Sequence, residues 1–454
     1  MAPLHRLFFY TTIILLPTQL GLHFWPQWAL VLGRRVDYLS PTLYLTDILI
    51  LLTIAFWFIG NLKRITNYDL RITREKIINR KSLFLILLIS FVFINILFSN
   101  NKPIAIFHWL KVFEFILLGY YIIKTKPSFS QITAFLSIAI AYSSVIAIIQ
   151  FFLQHSIGGP LWVLGERTFT VDTPGIARME DCRWRDISSC MLLLRPYGTF
   201  PHPNVLGGFL AVTLPLLLTG LSSPINKKLK KIPQWIMKIS LLIGLIALAL
   251  TFSRSAWLVG TSGIGVSIWL TGRSLKKIKQ NISNFILMPG FPLPLVLVLL
   301  LVGIVIFIAK SFSLNDESIV VRQELNTAAI RMWQRSPVFG VGLGNFLVTL
   351  PQMLPSRTVY FLQPVHNIYL LILSEAGIVG LIFFLRLIVF IIKIYDLRFT
   401  IYDQKQITPK FIIRNSVFLI LLLGLVDHYP LTLQQGQLLL TIFLSLSLLK
   451  PKFD

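Results

Sequence analysis

The sequence predicts an all-α, polytopic integral membrane protein of about twelve transmembrane helices with two long external loops. Three observations carry that expectation. The 454 residues are 55% hydrophobic and 13% charged, where a soluble chain would carry about 25% charge. Mean hydropathy is +0.75. Apolar runs such as 241–253 and 291–309 contain no charged residue, a length that suits lipid better than a soluble core. An ordinary soluble enzyme and a disordered chain are excluded. An outer-membrane barrel would need alternating segments of ~10 residues instead. The net charge of +24 is therefore a question of membrane sidedness, and no nucleic-acid partner is expected.

The expected spans are 7–22, 42–60, 82–98, 104–123, 129–154, 204–221, 236–252, 255–271, 291–310, 367–391, 411–427 and 434–449. Each approaches the ~20 residues that cross the hydrocarbon layer. Pro17 interrupts the first. No small-residue cleavage site follows that segment, so it is read as an anchor rather than a removed leader.

Orientation follows from Lys and Arg. With the N-terminus cytoplasmic, the inward segments hold 24 basic residues, 17 of them Lys, and the outward ones hold 14, of which 12 are Arg. The inward lysines are an ordinary positive-inside signal. The outward arginines offer planar forks for phosphate or carboxylate. They could instead pair with outward acids such as Glu166, Asp172, Asp181 and Asp316; taken as a set, they favour a polyanionic ligand.

The chain reads as one membrane domain, 1–454, with external loops at 155–203 and 311–366. Cys182 and Cys190 are the only cysteines and share the first loop. If that loop faces an oxidising space, a disulfide between them is expected; two free thiols are the alternative. No metal-binding spacing surrounds them.

The second loop opens a helix that Asn315 or Asp316 could cap and Pro337 ends. On it Arg322, Asn326, Ala329 and Trp333 share a face, with Arg331 and Arg335 on another. Gly340, Gly342 and Gly344 follow, either as a structural turn or as an anion-binding nest. His366 and Asn367 then enter a span. A histidine at the outer mouth of a helix suits a proton acceptor, although an interfacial polar role is equally open. Glu375 lies about half a turn around the helix from His366, and is expected to satisfy buried backbone or another span. Arg254 sits at the outer hydrocarbon edge and needs an anionic partner or an aqueous cavity, unless it snorkels to headgroups. Arg195 and His202, in RPYGTFPHPN, could line the same cavity or form a purely structural span start. Lys111 and Glu114, three apart, are expected to pair.

GTFPHPN at the start of a span, SRSAW at 253–257, Arg322-x10-Trp333 followed by SPVFGVGLGNF, and HNIYLLILSEAGIVG at 366–380 together resemble the bacterial O-antigen ligase family. The N-terminal third matches only in hydrophobic pattern and in a loop such as GRRVDYLSPTLYLTD. The family includes glycan ligases, polysaccharide polymerases and protein oligosaccharyltransferases, which these motifs do not separate. The resemblance implies an undecaprenyl-pyrophosphate-linked glycan donor and a glycan, lipid or protein acceptor. The Lys distribution places both termini inside, and the resemblance implies transfer at the outer face of the cytoplasmic membrane. It assigns His366 as catalytic base and Arg322 and Arg254 to the pyrophosphate, with Arg195, His202, Trp333 and Asn367 as further substrate-binding residues. No DxD or acidic cage is present, so no metal and no cofactor are expected. A lipid-linked glycan flippase or other transporter is the alternative from another class.

Overall fold

The computed structural model describes residues 4–65, 80–181, 191–222, 233–275, 317–354, 362–393 and 407–449. The described residues are mostly helical. The helices are α1 (Leu4–Ile14), α2 (Leu45–Ile65), α3 (Arg80–Leu97), α4 (Lys102–Thr125), α5 (Phe129–Leu153), α6 (Pro203–Ser222), α7 (Gln234–Leu250) and α8 (Arg254–Leu275). They continue as α9 (Glu317–Arg335), α10 (Phe346–Met353), α11 (Ile368–Lys393), α12 (Ile407–Leu423), α13 (Tyr429–Thr432) and α14 (Gln434–Ser447). Short antiparallel pairs decorate the loops: β1 (Gly21–His23) with β4 (Thr42–Tyr44), β2 (Leu30–Val31) with β3 (Arg34–Arg35), and β5 (Arg178–Asp181) with β6 (Met191–Leu194).

Helix starts follow local chemistry. Asn101 accepts from the Ile104 amide at the head of α4, and Ser128 accepts from the Gln131 amide at the head of α5, each satisfying a donor that the helix leaves orphaned. Serines and threonines inside α5 do not break it, because their hydroxyls bond back to carbonyls a turn earlier, as Thr133 does to Phe129 and Ser143 to Ala139.

Helix α6 is the central post. Nearly all of its apolar length is buried, against α5, α7, α8 and α12. Lipid tails are as apolar as leucine, so burial alone does not drive helices together in a bilayer; close packing does. Gly208 supplies it, since a Cβ there would lie 1.7 Å from the Tyr429 hydroxyl oxygen. This packing fixes the N-terminal end of α6 beside α13. A second core caps the bundle: Leu325, Ala328, Ala329 and Met332 of α9 pack with Phe346, Leu347 and Leu350 of α10 and with Val31, Val36 and Leu39.

Four described helical segments are long and apolar enough to cross a membrane: Lys102–Thr125, Phe129–Leu153, Pro203–Leu221 and Ile368–Ile391. Leu45–Asn61, Leu85–Leu97, Gln234–Leu250 and Phe411–Leu423 are apolar but shorter. The expected span at 291–310 lies outside the described residues, as do Cys182 and Cys190. The segment 7–22 departs from expectation. Helix α1 stops at Ile14, three residues before Pro17, and the chain then runs into β1. Proline removes a helix donor and crowds the preceding turn. The segment 411–427 ends its helix at Leu423, and the Gly424 carbonyl then accepts from the Ile368 amide at the head of α11. That turn brings 424–428 against the N-terminal end of α11.

Candidate active site

The N-terminal ends of α6 and α11 and the turn after α12 converge on a polar chamber of about 550 Å³, whose walls include His202, Asn204, His366, Asp427 and His428. Four of these, all but Asn204, come from loops that precede or follow a helix, so the bundle sets their spacing. Asp427 is 5% exposed. Its Oδ1 accepts from the His428 amide at 2.9 Å, and its Oδ2 accepts from Asn204 Nδ2 at 3.4 Å. Asn204 Oδ1 in turn accepts from Arg195 Nη2 at 2.7 Å, and Arg195 Nε donates to the Thr251 carbonyl. Arg195 thus ties the start of α6 to the α7–α8 turn, with Arg254 as the first residue of α8.

The rings of His366 and His428 lie edge to face, 5.0 Å between centroids. His428 Nδ1 is held by Thr432 Oγ1 at 2.6 Å, and His202 Nδ1 accepts from the Asn204 amide at 3.1 Å. His366 Nδ1 differs from both: it is buried and has no protein partner. Among the described residues no hydrogen bond or ion pair occupies the Arg322 guanidinium.

Electrostatics sort the protonation states. Burial pushes His366 below its ordinary value; Asp427 opposes this and Arg322 adds to it. Burial likewise lowers His202, with Arg195 adding, and lowers His428 against the pull of Asp427. Burial alone would keep Asp427 protonated, but His428, His366, His202 and Arg322 outweigh it and hold the carboxyl below its ordinary value. Near neutral pH the histidines are therefore neutral bases and Asp427 is an anion. Burial opposes the charge on Arg195, and the Arg254 and Arg322 cations oppose it further.

The structure thus brings His366, Arg322, Arg254, Arg195 and His202 into one electrostatic neighbourhood. Asn367 is committed elsewhere: its Oδ1 accepts from the Tyr369 and Leu370 amides and its Nδ2 donates to the Leu425 carbonyl, so it caps α11 and tethers it to the end of α12. Trp333 is half-buried, with its Nε1 unpartnered. The glycine turn is structural. The amides of Val341, Gly342 and Leu343 donate to Ser374 O, Glu375 O and Asn95 Oδ1, which leaves none of these three for an anion. Glu375 satisfies buried backbone, accepting from the Phe346 amide at 3.0 Å. Lys111 pairs with Glu114 at 3.0 Å as the spacing predicts, and also with Asp47 at 2.6 Å, which the sequence did not reveal.

His366, Asp427 and His428 each offer a ligand atom within 4.8 Å of the others, a grouping that could hold a metal ion. The charge balance points the other way. Arg195, Arg254 and Arg322 act on this cluster with three full positive charges, which disfavours a dication there.

Asp427 and His428 are the residues sequence reading passed over. The available signal was an acid at the end of an apolar span, which is costly unless it has a role.

A second cavity, an apolar groove of about 650 Å³, runs along α3, α4, α11 and α14. Phe91, Val112, Ile116, Phe383, Leu440 and Leu444 line it. Tyr38, His108, Thr432 and Gln437 line both cavities, so the polar chamber and the apolar groove share a wall.

A polar chamber at one end of a bundle of apolar helices, sharing a wall with an apolar groove, fits a multi-pass membrane protein. Residues 239–385, about a third of the chain, match the O-antigen ligase family, and this match supports membership of that family with its ligase or polymerase type of function. The matched stretch holds Arg254, Arg322, Trp333 and His366 and ends before Asp427. No curated protein matches the chain.

Proposed function

We propose that the protein is a glycan ligase that moves a saccharide from a polyprenyl pyrophosphate to an acceptor hydroxyl on the outer side of the cytoplasmic membrane. The observation that carries this reading is the shared wall between the chamber holding His366 and the apolar groove. A lipid-linked sugar pyrophosphate has both parts, a polar head for the chamber and a hydrocarbon tail for the groove.

The chemistry balances without a metal or cofactor. His366 takes the acceptor hydroxyl proton on its imidazole, whose Nδ1 makes no hydrogen bond to the protein. The acceptor oxygen attacks the anomeric carbon opposite the leaving group. The carbon–oxygen bond to phosphate breaks, its electron pair goes to the polyprenyl pyrophosphate, and the anomeric configuration inverts. Charge grows on that phosphate in the transition state, and the guanidinium groups of Arg322 and Arg254 stabilise it there. Asp427 stabilises the imidazolium that forms, while Arg195 holds Asn204 and, through it, Asp427. A polymerase would run the same donor chemistry with a lipid-linked acceptor.

Product analysis tests the reading. Purified protein in detergent, given undecaprenyl-pyrophosphate-linked glycan and candidate acceptors, is expected to release undecaprenyl pyrophosphate in step with glycosylated acceptor. Translocation of the donor across vesicles with the sugar–phosphate bond intact would establish a transporter instead.

A further inference from the structure

One antiparallel ribbon has two unlike faces. Strands β1 and β4 pair Gly21 with Tyr44, Leu22 with Leu43 and His23 with Thr42. The Leu45 amide donates to the Leu20 carbonyl and the Phe24 amide to the Pro41 carbonyl, so the ladder runs on at both ends. Successive side chains of a strand point to opposite faces, and directly paired residues share a face. On one face, Gly21, His23, Thr42 and Tyr44 all line the polar chamber, and Thr42 Oγ1 meets His23 Nδ1 at 3.0 Å across the strands. The other face carries the cross-strand pair Leu22 and Leu43, 60% and 43% exposed, and then Phe24, 50% exposed. Large apolar side chains grouped on one exposed face mark a surface that meets something apolar.

The chain itself indicates what that is. Strand β4 runs straight into α2, whose segment Leu45–Asn61 is an apolar helix. The exposed residues there include Ile48, Leu51, Ala55, Phe58 and Ile59, which recur every three or four residues and form one apolar stripe. Asp47, in the first turn of α2, is drawn inward to Lys111 at 2.6 Å and puts no charge on the stripe. In a multi-pass membrane protein such a stripe is covered by lipid, and Leu43 precedes its first residue by only five positions. Beside the ribbon, Arg34 and Arg35 of β3 are exposed, and the Arg35 guanidinium stands 5.6 Å over the Trp25 ring. Indole suits the boundary between hydrocarbon and headgroups, and guanidinium pairs with the phosphates there. We propose that the β1–β4 ribbon is an amphipathic partition: Leu22, Phe24 and Leu43 lie in the interfacial layer of the bilayer, with Arg34 and Arg35 toward lipid phosphates, so the chamber on its other face sits at headgroup depth. The proposal uses the membrane class alone and holds for a ligase, a polymerase or a transporter.

The test uses the full-length chain with Cys182→Ser and Cys190→Ser, in nanodiscs of phosphatidylethanolamine and phosphatidylglycerol. A nitroxide is attached at Leu22→Cys or Leu43→Cys, and its collisions with oxygen, which enters lipid, are compared with those of a water-soluble nickel chelate, which does not. Labels at Leu51→Cys on the α2 stripe and at Gln334→Cys on an exposed polar position of α9 give the lipid and water references. These side chains are exposed, so the fold tolerates the label; where one ribbon variant does not assemble, its cross-strand partner or Phe24→Cys reports the same face. The ribbon labels are expected to show an oxygen-to-nickel ratio about five-fold or more above that of Gln334→Cys, because the polar chelate is excluded from apolar surroundings. A ratio within two-fold of Gln334→Cys at either ribbon position would place the face in water and overturn the proposal. Low collision with both reagents would mean that protein covers the face, a second copy of the chain if spin–spin broadening disappears on dilution with unlabelled protein, and would overturn it as well.

Discussion

His366 owes its availability to its neighbours. Burial and Arg322 keep it neutral, while Asp427 pulls the other way. The signs give a pH experiment. Activity should fall on the acid side as His366 takes up a proton, at a pH below the ordinary ~6.5 of histidine. Asp427→Asn removes the group that raises the histidine's proton affinity, so the acid limb of kcat/KM should move to lower pH, with a reduced plateau from the unsupported imidazolium. Arg322→Gln removes a group that lowers it, so the acid limb should move to higher pH. Limbs that stay in place in both variants would show that His366 is not the titrating base. Arg322→Lys tests the fork itself: charge is kept and two-pronged geometry is lost. Transfer should drop ~10²-fold, equivalent to ~2.7 kcal/mol, and binding of undecaprenyl pyrophosphate should weaken. Wild-type rates would remove Arg322 from the pyrophosphate. At this scale the sequence was informative where chemistry is local. His366, Arg322 and Arg254 stand in short motifs at helix ends. Asp427 and His428 have no such motif and matter only because the turn after α12 folds against α11.

Among the elements, the break in α11 was hidden. The span reads as one continuous apolar helix, yet Gly377 has φ 65 and ψ −169, a conformation open almost only to glycine. A Cβ there would lie 2.2 Å from the Val338 carbonyl oxygen. What approaches Gly377 is the Val338–Phe339 backbone, just before the Gly340–Gly344 turn, in which the Val341 and Gly342 amides donate to the Ser374 and Glu375 carbonyls. Gly377→Ala should therefore destabilise by more than ~1–3 kcal/mol, read as a clear fall in apparent Tm in detergent. Gly60→Ala, where nothing lies within 4 Å of the added carbon, should leave it unchanged or slightly raised. Equal behaviour of the two would refute the packing described for the turn. The first span was misjudged for a different reason: hydropathy continues past Pro17, but the backbone cannot. The cysteines give a third expectation at this scale. Cys182 and Cys190 share the expected external loop 155–203 and are separated by seven residues, which allows a disulfide bridge to close a small loop. Non-reduced peptides from protein in its native envelope should show that bridge, stabilising locally by ~2–3 kcal/mol; two free thiols would reject it.

For the molecule as a whole, hydropathy and the Lys and Arg distribution made the helical membrane class legible, because both are sums over many residues. The chamber and groove were not legible, because their walls come from segments far apart in the chain, such as Gln19, Lys111 and Gln437. Sidedness remains an expectation with a direct check. In a chain whose native cysteines are replaced, Gln334→Cys should be labelled from outside the cell and Gln234→Cys only after the cytoplasm is opened; both positions are exposed. The reverse pattern would place the chamber on the wrong side for this chemistry. The central claim is that an imidazole and guanidinium groups, not a metal, carry glycan transfer. It is tested most directly by measuring transfer from an undecaprenyl-pyrophosphate-linked glycan by wild-type and His366→Ala protein, with chelator and with added divalent cations. The account predicts a wild-type rate untouched by chelator and a His366→Ala variant that binds donor, transfers little and is not rescued by metal. Wild-type transfer lost to chelator and restored by a divalent cation, or full transfer by His366→Ala, would contradict it.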